Sequence, residues 1–475
     1  MSLQPRSQPG GRYTRIRVHN EGDFNKLYPL ILDYIRDPEL AFCVKEFVFR
    51  SYWPRYGSPS SKGRRPSVWA DEENARDISQ EHAISQLVTG LGIEEPEKCE
   101  WIRALTWMKP ELIAARGQHS EKAQIFYAHR NMVFSHYAAA LLLIICPNIE
   151  ILKYEEGSRV VESVLRRNNY GLLPGAHLQK LRDVTILPTS DDILGDERFY
   201  TNVDIMAMLR LFHRLPAIES MSIDAALSEN DGGYVQRFPP GTSNLKRVSI
   251  THSIYGTDVI GPLIKVPKRL EKFTFTTGGR CNYDGGYTAR CAETIGRALY
   301  EHRSSLRKID IDIDEYIGGE ETEEEGQNGK DEWYHRDMEI STGPPATNRA
   351  PNTREYGKTI GSMHDFEALT HLSIGIGLLL GVNERGEAPF RLVDALPKSL
   401  EYLLIRGYER GAVARYDAQI DELLLLRQDR LPSLKELHGL DETIPIAVSI
   451  EDPDDNEEGL WRPDIWDDEW VEVLS

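Results

Sequence analysis

Cysteine is scarce in this chain, which has five among 475 residues, in an odd and scattered set. No Asn-x-Ser/Thr sequence for N-linked glycosylation occurs anywhere in it. Secreted proteins usually carry paired cysteines, because disulfides persist in oxidising compartments and are rare in reducing ones. The sequence therefore predicts an intracellular protein, cytoplasmic or nuclear, without a disulfide framework.

Long apolar runs are also lacking. The longest, Ala138 to Cys146, has nine residues, whereas a helix needs ~20 to cross a bilayer. The arginines near the N-terminus are not followed by the apolar core that marks a secretory signal. We therefore expect neither a membrane span nor a signal peptide, and no membrane partner.

Catalytic motifs are missing as well. The sequence contains no G-x-S-x-G, H-E-x-x-H or Walker A pattern, and no G-x-G-x-x-G between a strand and a helix. His129 and His136 lie seven residues apart in an otherwise aromatic and aliphatic segment, which favours packing or surface roles. We expect a non-enzymatic protein without a cofactor. The alternative is an enzyme or effector on an α/β repeat fold, with catalytic residues that are distant in sequence.

Basic residues are outnumbered, since 56 Lys and Arg stand against 75 Asp and Glu, for a formal net charge of -19. The excess is confined to residues 310–332 and 451–475, each of which holds eleven acids and one base. The remainder of the chain holds 53 acids and 54 bases. A neutral body with two acidic segments argues against a broad phosphate-binding surface, so nucleic acid is not an expected partner.

The sequence does contain a recurring pattern: an aliphatic anchor, two variable residues, an apolar residue, one variable residue and another apolar residue. Between the anchors Ile149 and Leu434, every spacing but one falls between 25 and 37 residues. The alternation that follows each anchor indicates a short strand with one buried face. The ten anchors, the last of them in an incomplete copy, are Val44, Ile149, Leu181, Ile218, Leu245, Leu270, Leu306, Leu369, Leu400 and Leu434.

Apolar periodicity predicts helices in the intervals, over residues 204–215, 288–302, 390–396 and 419–426. Repeated strand, crossover helix and strand give a parallel sheet. The pattern resembles the L-x-x-L-x-L consensus of leucine-rich repeats, without its downstream Asn or Cys. The resemblance implies an α/β fold, an irregular leucine-rich-repeat-like solenoid with parallel strands on its concave face and helices on its convex face, joined to an N-terminal helical region.

The predicted organisation has four parts. Residues 1–12 form a disordered N-terminus, and residues 13–148 form a strand plus a helical region with helices over 81–91, 97–107 and 121–146. The degenerate solenoid covers residues 149–450, interrupted at about 315–360 by an acidic insertion that we expect to be disordered. Residues 451–475 form an acidic tail or cap that contains tryptophan.

The N-terminal part carries a sharper likeness, over Tyr13 to Val18, Leu27 to Leu32, Arg36 to Ala41 and Val44 to Phe49. This order resembles the junction in fungal F-box proteins with degenerate leucine-rich repeats. There, a short β segment is followed by an amphipathic helix, an R-x-P-E-L turn and the first repeat strand. The Leu-Pro-x-Leu-Glu-x-Leu opening of the later strands is similar to the same family.

The family resemblance implies a substrate receptor of a cullin-RING ubiquitin ligase, in which the F-box docks a Skp-type adaptor and the repeats hold the substrate. The F-box helices would precede the junction, where this sequence has only Met1 to Gly11, rich in Ser, Pro, Gln and Gly. We therefore expect the adaptor-docking module to be absent from this chain, and substrate-style binding to be the function it shares with the family.

The strand residues that flank the buried positions should point to the concave face, the usual binding surface of a solenoid. Three successive strands each open with a basic residue, namely Arg247, Lys272 and Lys308. These residues should form a row in which neighbours are about 5 Å apart. They make either an ordinary solvated surface or part of a site for an acidic peptide, which could be one of the chain's own acidic segments. The candidate contact residues are Arg247, Ser249, Lys272, Thr274, Lys308, Asp310, His371, Tyr402 and Arg406.

Two patterns resemble metal sites, but neither predicts one. The acids of Asp310 to Asp314, followed by Glu321, resemble a calcium loop, yet Glu315 stands where such a loop needs glycine, and the intervening isoleucines continue a strand. Cys281 and Cys291 lack the second cysteine pair or histidine cluster of a zinc site. We expect no bound metal.

The acidic tail holds three of the eight tryptophans, Trp461, Trp466 and Trp470, which is unusual for a disordered acidic segment. The first interpretation is that the tail folds back and caps the last repeat, where it shields an open sheet edge. The second is a short acidic-aromatic motif that docks on a partner.

Overall fold

The computed structural model describes residues 12–51, 78–106, 121–188, 198–228, 238–281, 292–313, 359–381, 390–448, 450 and 470–472. The predicted disorder before residue 12, nearly all of the acidic insertion, and Trp461 and Trp466 lie outside these ranges. Among the described helices, none is both long enough and apolar enough to span a membrane.

The strands of the described residues are β1 (Tyr13–Val18), β2 (Glu46–Phe49), β3 (Ile151–Glu155), β4 (Asp183–Leu187), β5 (Thr201–Asn202), β6 (Ser220–Asp224), β7 (Ala226–Leu227), β8 (Arg247–Thr251), β9 (Lys272–Thr276), β10 (Lys308–Asp312), β11 (His371–Gly375), β12 (Tyr402–Arg406), β13 (Glu436–His438) and β14 (Val471–Glu472). All ten predicted strands are present, as β2, β3, β4, β6 and β8 to β13.

The helices of the described residues are α1 (Glu21–Arg36), α2 (Ile78–Gly90), α3 (Glu97–Thr106), α4 (Glu121–Ile145), α5 (Arg159–Asn169), α6 (Ile205–Leu209), α7 (Thr257–Lys265), α8 (Ala292–Tyr300), α9 (Ile376–Leu380), α10 (Leu392–Ala395) and α11 (Ala414–Arg430). A 3-10 helix spans Pro38–Cys43. Three predicted helices of the N-terminal part correspond to α2, α3 and α4. Of the helices predicted between strands, α6 is shorter than expected and α11 longer.

Contacts divide the chain into two compact units. The first unit comprises Met1–Ile193, Arg210–Ile218 and Asp464–Ser475, and the second comprises Leu194–Leu209 and Glu219–Pro463. In both, strands alternate with helices and the ladders are mostly parallel, so the prediction of a mixed α/β fold with parallel strands is confirmed.

In the first unit, the chain enters α1 through a capping box. The Asn20 side chain accepts a hydrogen bond from the Asp23 backbone N–H (3.1 Å), and the Asp23 carboxylate accepts one from the Asn20 N–H (3.3 Å). These bonds satisfy backbone donors that the first helical turn leaves free. The helix ends at Arg36, and Pro38 opens the 3-10 helix that leads to β2. This is the order of elements that the sequence predicted for the junction.

The core of the first unit includes the apolar run of α4, in which Ala138 to Leu143 are fully buried. This run was too short to cross a membrane and is instead a core helix. The strand order of the unit is β14-β1-β2-β3-β4. The strands β1 to β4 are parallel, while β14 is antiparallel to β1.

The second unit contains the parallel order β6-β8-β9-β10-β11-β12-β13 and a small pair, β5 with β7. In β6, β8 and β12 buried and part-exposed residues alternate, so one face of each strand packs on the core and the other is open. The inward positions form a continuous ladder through Ile250, Phe275, Ile311, Ile374 and Ile405, all fully buried.

After β13, the chain turns back within the second unit as a segment that we call the strap, residues 443–448. Along it, Ile444 accepts a hydrogen bond from the Gly407 N–H (2.8 Å), and the Ala447 N–H donates to the Asp312 carboxylate (3.0 Å). Gly278 has a φ of +87°, and a Cβ added there would lie 2.7 Å from the Val448 carbonyl oxygen. The strap therefore crosses the carboxyl ends of β12 and β10 and the chain just beyond β9.

The described part of the tail contradicts one prediction. The tail was expected to cap the last repeat, which corresponds to β13, but Val471–Glu472 form β14 on the edge of the first strand, β1. The physical reason lies in Trp470. Its ring stands edge-on to Tyr13 with centroids 5.0 Å apart, and its indole N–H donates to the Asp23 carboxylate (2.8 Å). The first strand thus offers an aromatic partner, and the first turn of α1 offers a fixed acceptor.

Candidate functional site

The open face of the second unit carries polar side chains in rows, because neighbouring parallel strands are in register. Lys272 is the register partner of both Arg247 and Lys308, so the predicted basic row is confirmed. The row continues through His371 to Tyr402. We call it the basic-aromatic row, and its members are Arg247, Lys272, Lys308, His371 and Tyr402.

The charges of this row differ in their surroundings. Arg247 lies 3.7 Å from the Glu219 carboxylate, which also binds Lys246 at 2.8 Å. Lys272 and Lys308, in contrast, have no carboxylate partner among the described residues, and Lys308 is exposed. The two lysines therefore leave a local positive charge available to an acidic ligand.

An aromatic ladder continues the face beyond the lysines. The His371 and Tyr402 rings are stacked, with centroids 5.7 Å apart and an interplanar angle of 24°. The Tyr402 and His438 rings are 5.3 Å apart. Such flat, part-exposed rings bind planar or apolar groups at little cost in side-chain entropy. The sequence identified His371 and Tyr402 but missed His438, whose strand is the incomplete tenth copy of the pattern.

A second row lies beside the first and contains Ser249, Thr274, Asp310 and Ser373, each in register with the next. Thr274 and Ser373 are buried. Apart from Arg406, the predicted candidates on this face therefore fall into two adjacent rows.

Arg406 lies near two acids of the same face. Its guanidinium is 3.6 Å from Asp310 Oδ1 and 3.5 Å from Asp312 Oδ2. The Arg406 and Asp310 side chains are 22% and 25% exposed, while Asp312 is 8% exposed. The distances allow charge compensation but are too long for good hydrogen bonds. Three atoms are buried without a hydrogen-bond partner among the described residues: Asp310 Oδ1, Ser373 Oγ and Arg406 Nε.

The Asp312 carboxyl has a perturbed pKa. Burial raises its pKa above the ordinary 3.8, and the nearby Asp310 charge acts in the same direction. The Ala447 N–H and the Arg406 guanidinium oppose this by stabilising the carboxylate. Desolvation is the larger effect because Asp312 is covered by the strap.

A third polar row lies at the carboxyl ends of the strands, where the sequence identified Arg406 but missed Asp224 and His252. There, Asp224 accepts a hydrogen bond from the Thr251 hydroxyl (2.7 Å) and lies 2.8 Å from His252 Nδ1. His252 has a φ of +43°, an uncommon conformation for a residue other than glycine. The available signal was that β6 and β10 end in acids, Asp224 and Asp312, and β12 in Arg406, at equivalent positions of the repeat.

The two sequence patterns that resemble metal sites lie only partly within the described residues. No group of three or more His, Cys, Asp or Glu in the described ranges could hold a metal ion. Asp310 and Asp312 face Arg406, while Asp314, Glu321 and Cys291 lie outside the described residues. Trp470 belongs to the first unit, whereas the rows lie in the second.

No protein-family model matches this chain, and neither does any curated protein.

Proposed function

We propose that this protein is a non-enzymatic, intracellular interaction scaffold, and that its second unit binds an acidic protein segment across the open face of β8 to β12. The basic-aromatic row supports this proposal, because Lys272 and Lys308 attract carboxylates and the rings of His371 and Tyr402 provide flat contact area. Tyr and Arg are also the residue types enriched at the energetic centres of interfaces.

The observation that carries the proposal is the register that places these groups side by side. Lys308 pairs with Lys272 on one side and with His371 on the other, and His371 pairs with Tyr402. Neither lysine has a carboxylate partner among the described residues. An extended acidic segment that crosses these strands would therefore meet two ammonium groups and then the stacked rings.

The repeat pattern supports the finer form of the proposal. We propose that the strands are leucine-rich-repeat-like, with the polar rows on a concave face and the helices on the convex side. By the resemblance of the N-terminal junction, the protein would be related to F-box substrate receptors of ubiquitin ligases. Under this proposal the bound segment is a substrate or regulatory partner, while a Skp-type adaptor and a cullin are partners that only the family resemblance implies.

The binding face can be tested by selecting peptides from a random display library on the full chain. We expect the wild-type protein to enrich acidic peptides. The Lys272→Glu/Lys308→Glu variant should bind the selected peptides at least about tenfold more weakly, since two favourable charge pairs become repulsive. The matched control, Lys180→Glu/Lys398→Glu, makes the same change of charge at two exposed lysines elsewhere and should bind like the wild type.

Two results would contradict the binding face: selected peptides without acidic residues, or equal binding to both double variants. Tyr402→Ala tests the aromatic ladder separately and should weaken binding without changing the charge. The ligase relationship has its own test, which is affinity purification from cells: recovery of a Skp-type adaptor and a cullin would support a ligase role for this chain. Clean recovery of other partners without those two proteins would refute it.

A further inference from the structure

The strand β14 shows how the edge of β1 accepts another segment. Tyr13 pairs with Glu472 and Arg15 with Val471 in antiparallel register, and the Thr14 hydroxyl donates to the Val471 carbonyl oxygen (3.3 Å). The pairing is short, and Val471 is 40% exposed. Strand addition at a sheet edge is a common way for proteins to bind extended peptides, in which backbone bonds provide affinity and side-chain pockets provide specificity.

The specific contacts here are those of the Trp470 side chain. We call the three residues that make them, Tyr13, Asp23 and Lys26, the seat. The indole N–H donates to Asp23, the ring stands edge-on to Tyr13, and the Lys26 ammonium lies 5.3 Å from its centroid. A tryptophan ring is the best cation–π partner among side chains. The seat therefore recognises an N–H at the ring edge and an aromatic face, and Tyr13 also makes a side-chain hydrogen bond with the acidic Glu472 of the tail.

The hydrogen-bond acceptor of the seat is held by residues outside the tail. Asp23 is buried in the capping box of α1, where its carboxylate also binds Arg17 at 2.9 Å and accepts the His19 N–H at 3.2 Å. These contacts fix the acceptor before any tryptophan arrives. A preorganised site loses little when its occupant leaves, and a new occupant has little to reorganise.

We propose that the edge of β1, together with the seat formed by Tyr13, Asp23 and Lys26, is an exchangeable docking groove for an acidic, tryptophan-bearing extended peptide. The chain's own residues 470–472 occupy it in cis. A segment of a partner protein with the same chemistry occupies it in trans when the tail leaves. The acidic character of the occupant follows from the tail itself, which carries eleven acids between residues 451 and 475, and from the exposed Lys26.

Competition between the two occupants sets the expected behaviour. A tethered segment binds as an intramolecular ligand at an effective concentration on the order of millimolar. A free peptide must displace it, so it should bind the intact chain at least about tenfold more weakly than a chain whose tail cannot bind. Removing the tryptophan from the tail should therefore open the groove.

The experiment uses a fluorescent peptide of residues 464–475 as the probe and follows its anisotropy on the full-length chain. We expect binding to Trp470→Ala protein at least about tenfold tighter than to wild type. The control protein, Trp461→Ala, changes a tryptophan outside residues 470–472 and should bind like wild type. A peptide that itself carries Trp470→Ala, and a scrambled peptide of the same composition, should both bind the opened chain at least about tenfold more weakly.

Two further variants, made in the Trp470→Ala background, locate the probe. Adding Tyr13→Ala should abolish binding, whereas adding Lys272→Glu/Lys308→Glu should leave it unchanged, because those lysines belong to the other proposed site. Equal binding to wild-type and Trp470→Ala proteins, equal binding of the scrambled peptide, or no binding at all overturns the proposal. If Trp470→Ala does not fold, a chain ending at Pro463 replaces it. If that chain also fails to fold, the tail is a structural strand and the proposal is wrong.

Discussion

Replacing His136 with leucine should remove much of the acid sensitivity of the first unit. His136 lies on α4 with only 8% of its surface exposed, edge-on to Phe49 at a centroid distance of 5.5 Å. Its Nε2 is buried and has no hydrogen-bond partner among the described residues. Burial lowers the pKa of His136 to about 4 from the ordinary 6.5, with a smaller contribution from His129.

The size of the effect follows from proton linkage. Because the pKa is lower in the folded state, the neutral ring is favoured by folding and a proton favours the unfolded chain. The stability is fully present above pH 6.5 and is lost as pH falls from 6.5 toward 4. Each pKa unit corresponds to about 1.4 kcal/mol, so the full loss is about 3 kcal/mol and about 2 kcal/mol is gone at pH 5. Leucine has no proton to bind and should lack this loss.

The measurement is urea denaturation of both proteins at pH 7.5, 6 and 5, followed by circular dichroism. Other histidines are common to both proteins and cancel in the difference of their unfolding free energies. We expect that difference to move by about 2 kcal/mol in favour of His136→Leu between pH 7.5 and pH 5. His82→Leu removes an exposed histidine of α2 as a control and should not move the difference. A pH-independent difference for His136→Leu would refute the reasoning, because it would mean that the ring gains no proton on unfolding.

Two smaller changes test local packing. Gly296→Ala should destabilise the second unit by about 1–3 kcal/mol, because a Cβ there would overlap the Ile360 backbone; Gly377→Ala, where no heavy atom is near, should be neutral or stabilising in the same thermal melts. Asn20→Ala should cost the first unit about 1 kcal/mol by removing the cap of α1, whereas Asn20→Ser should retain most of it. A stabilised Gly296→Ala protein, or equal melting of the two Asn20 variants, would contradict these expectations.

The strands were predictable because their signal is local. Each anchor is followed within five residues by two apolar positions separated by one, and this alternation is what a half-buried strand needs. Register followed as well, since strands of equal phase in a parallel sheet align their outward residues. The row through Arg247, Lys272 and Lys308 could therefore be named from the sequence alone, and the structure pairs these residues as expected.

The cluster around Arg406 was only half predictable. Its members could be placed on the open face, but the sequence does not show that Arg406 reaches across β11 to Asp310 and Asp312. It also does not show that the strap covers Asp312, because the strap is an irregular segment whose backbone N–H of Ala447 makes the contact. Periodicity describes which face a residue occupies, whereas such contacts depend on side-chain length and on loop paths.

The composition of the tail indicated that it makes contacts, but not where it makes them. The tryptophans among the acids indicated a segment that contacts folded structure, since a hydrophilic disordered segment has no need of aromatic side chains. Trp470 makes such contacts, with Asp23 and Tyr13. The sequence interpretation placed the tail on the open sheet edge of the last repeat, which is also nearest to it along the chain. Nearness along the chain contributes little to where a segment binds, because the entropy of closing a loop grows only slowly with its length. What decides is the quality of the seat, and the capping box at Asp23 provides a fixed acceptor for the Trp470 indole.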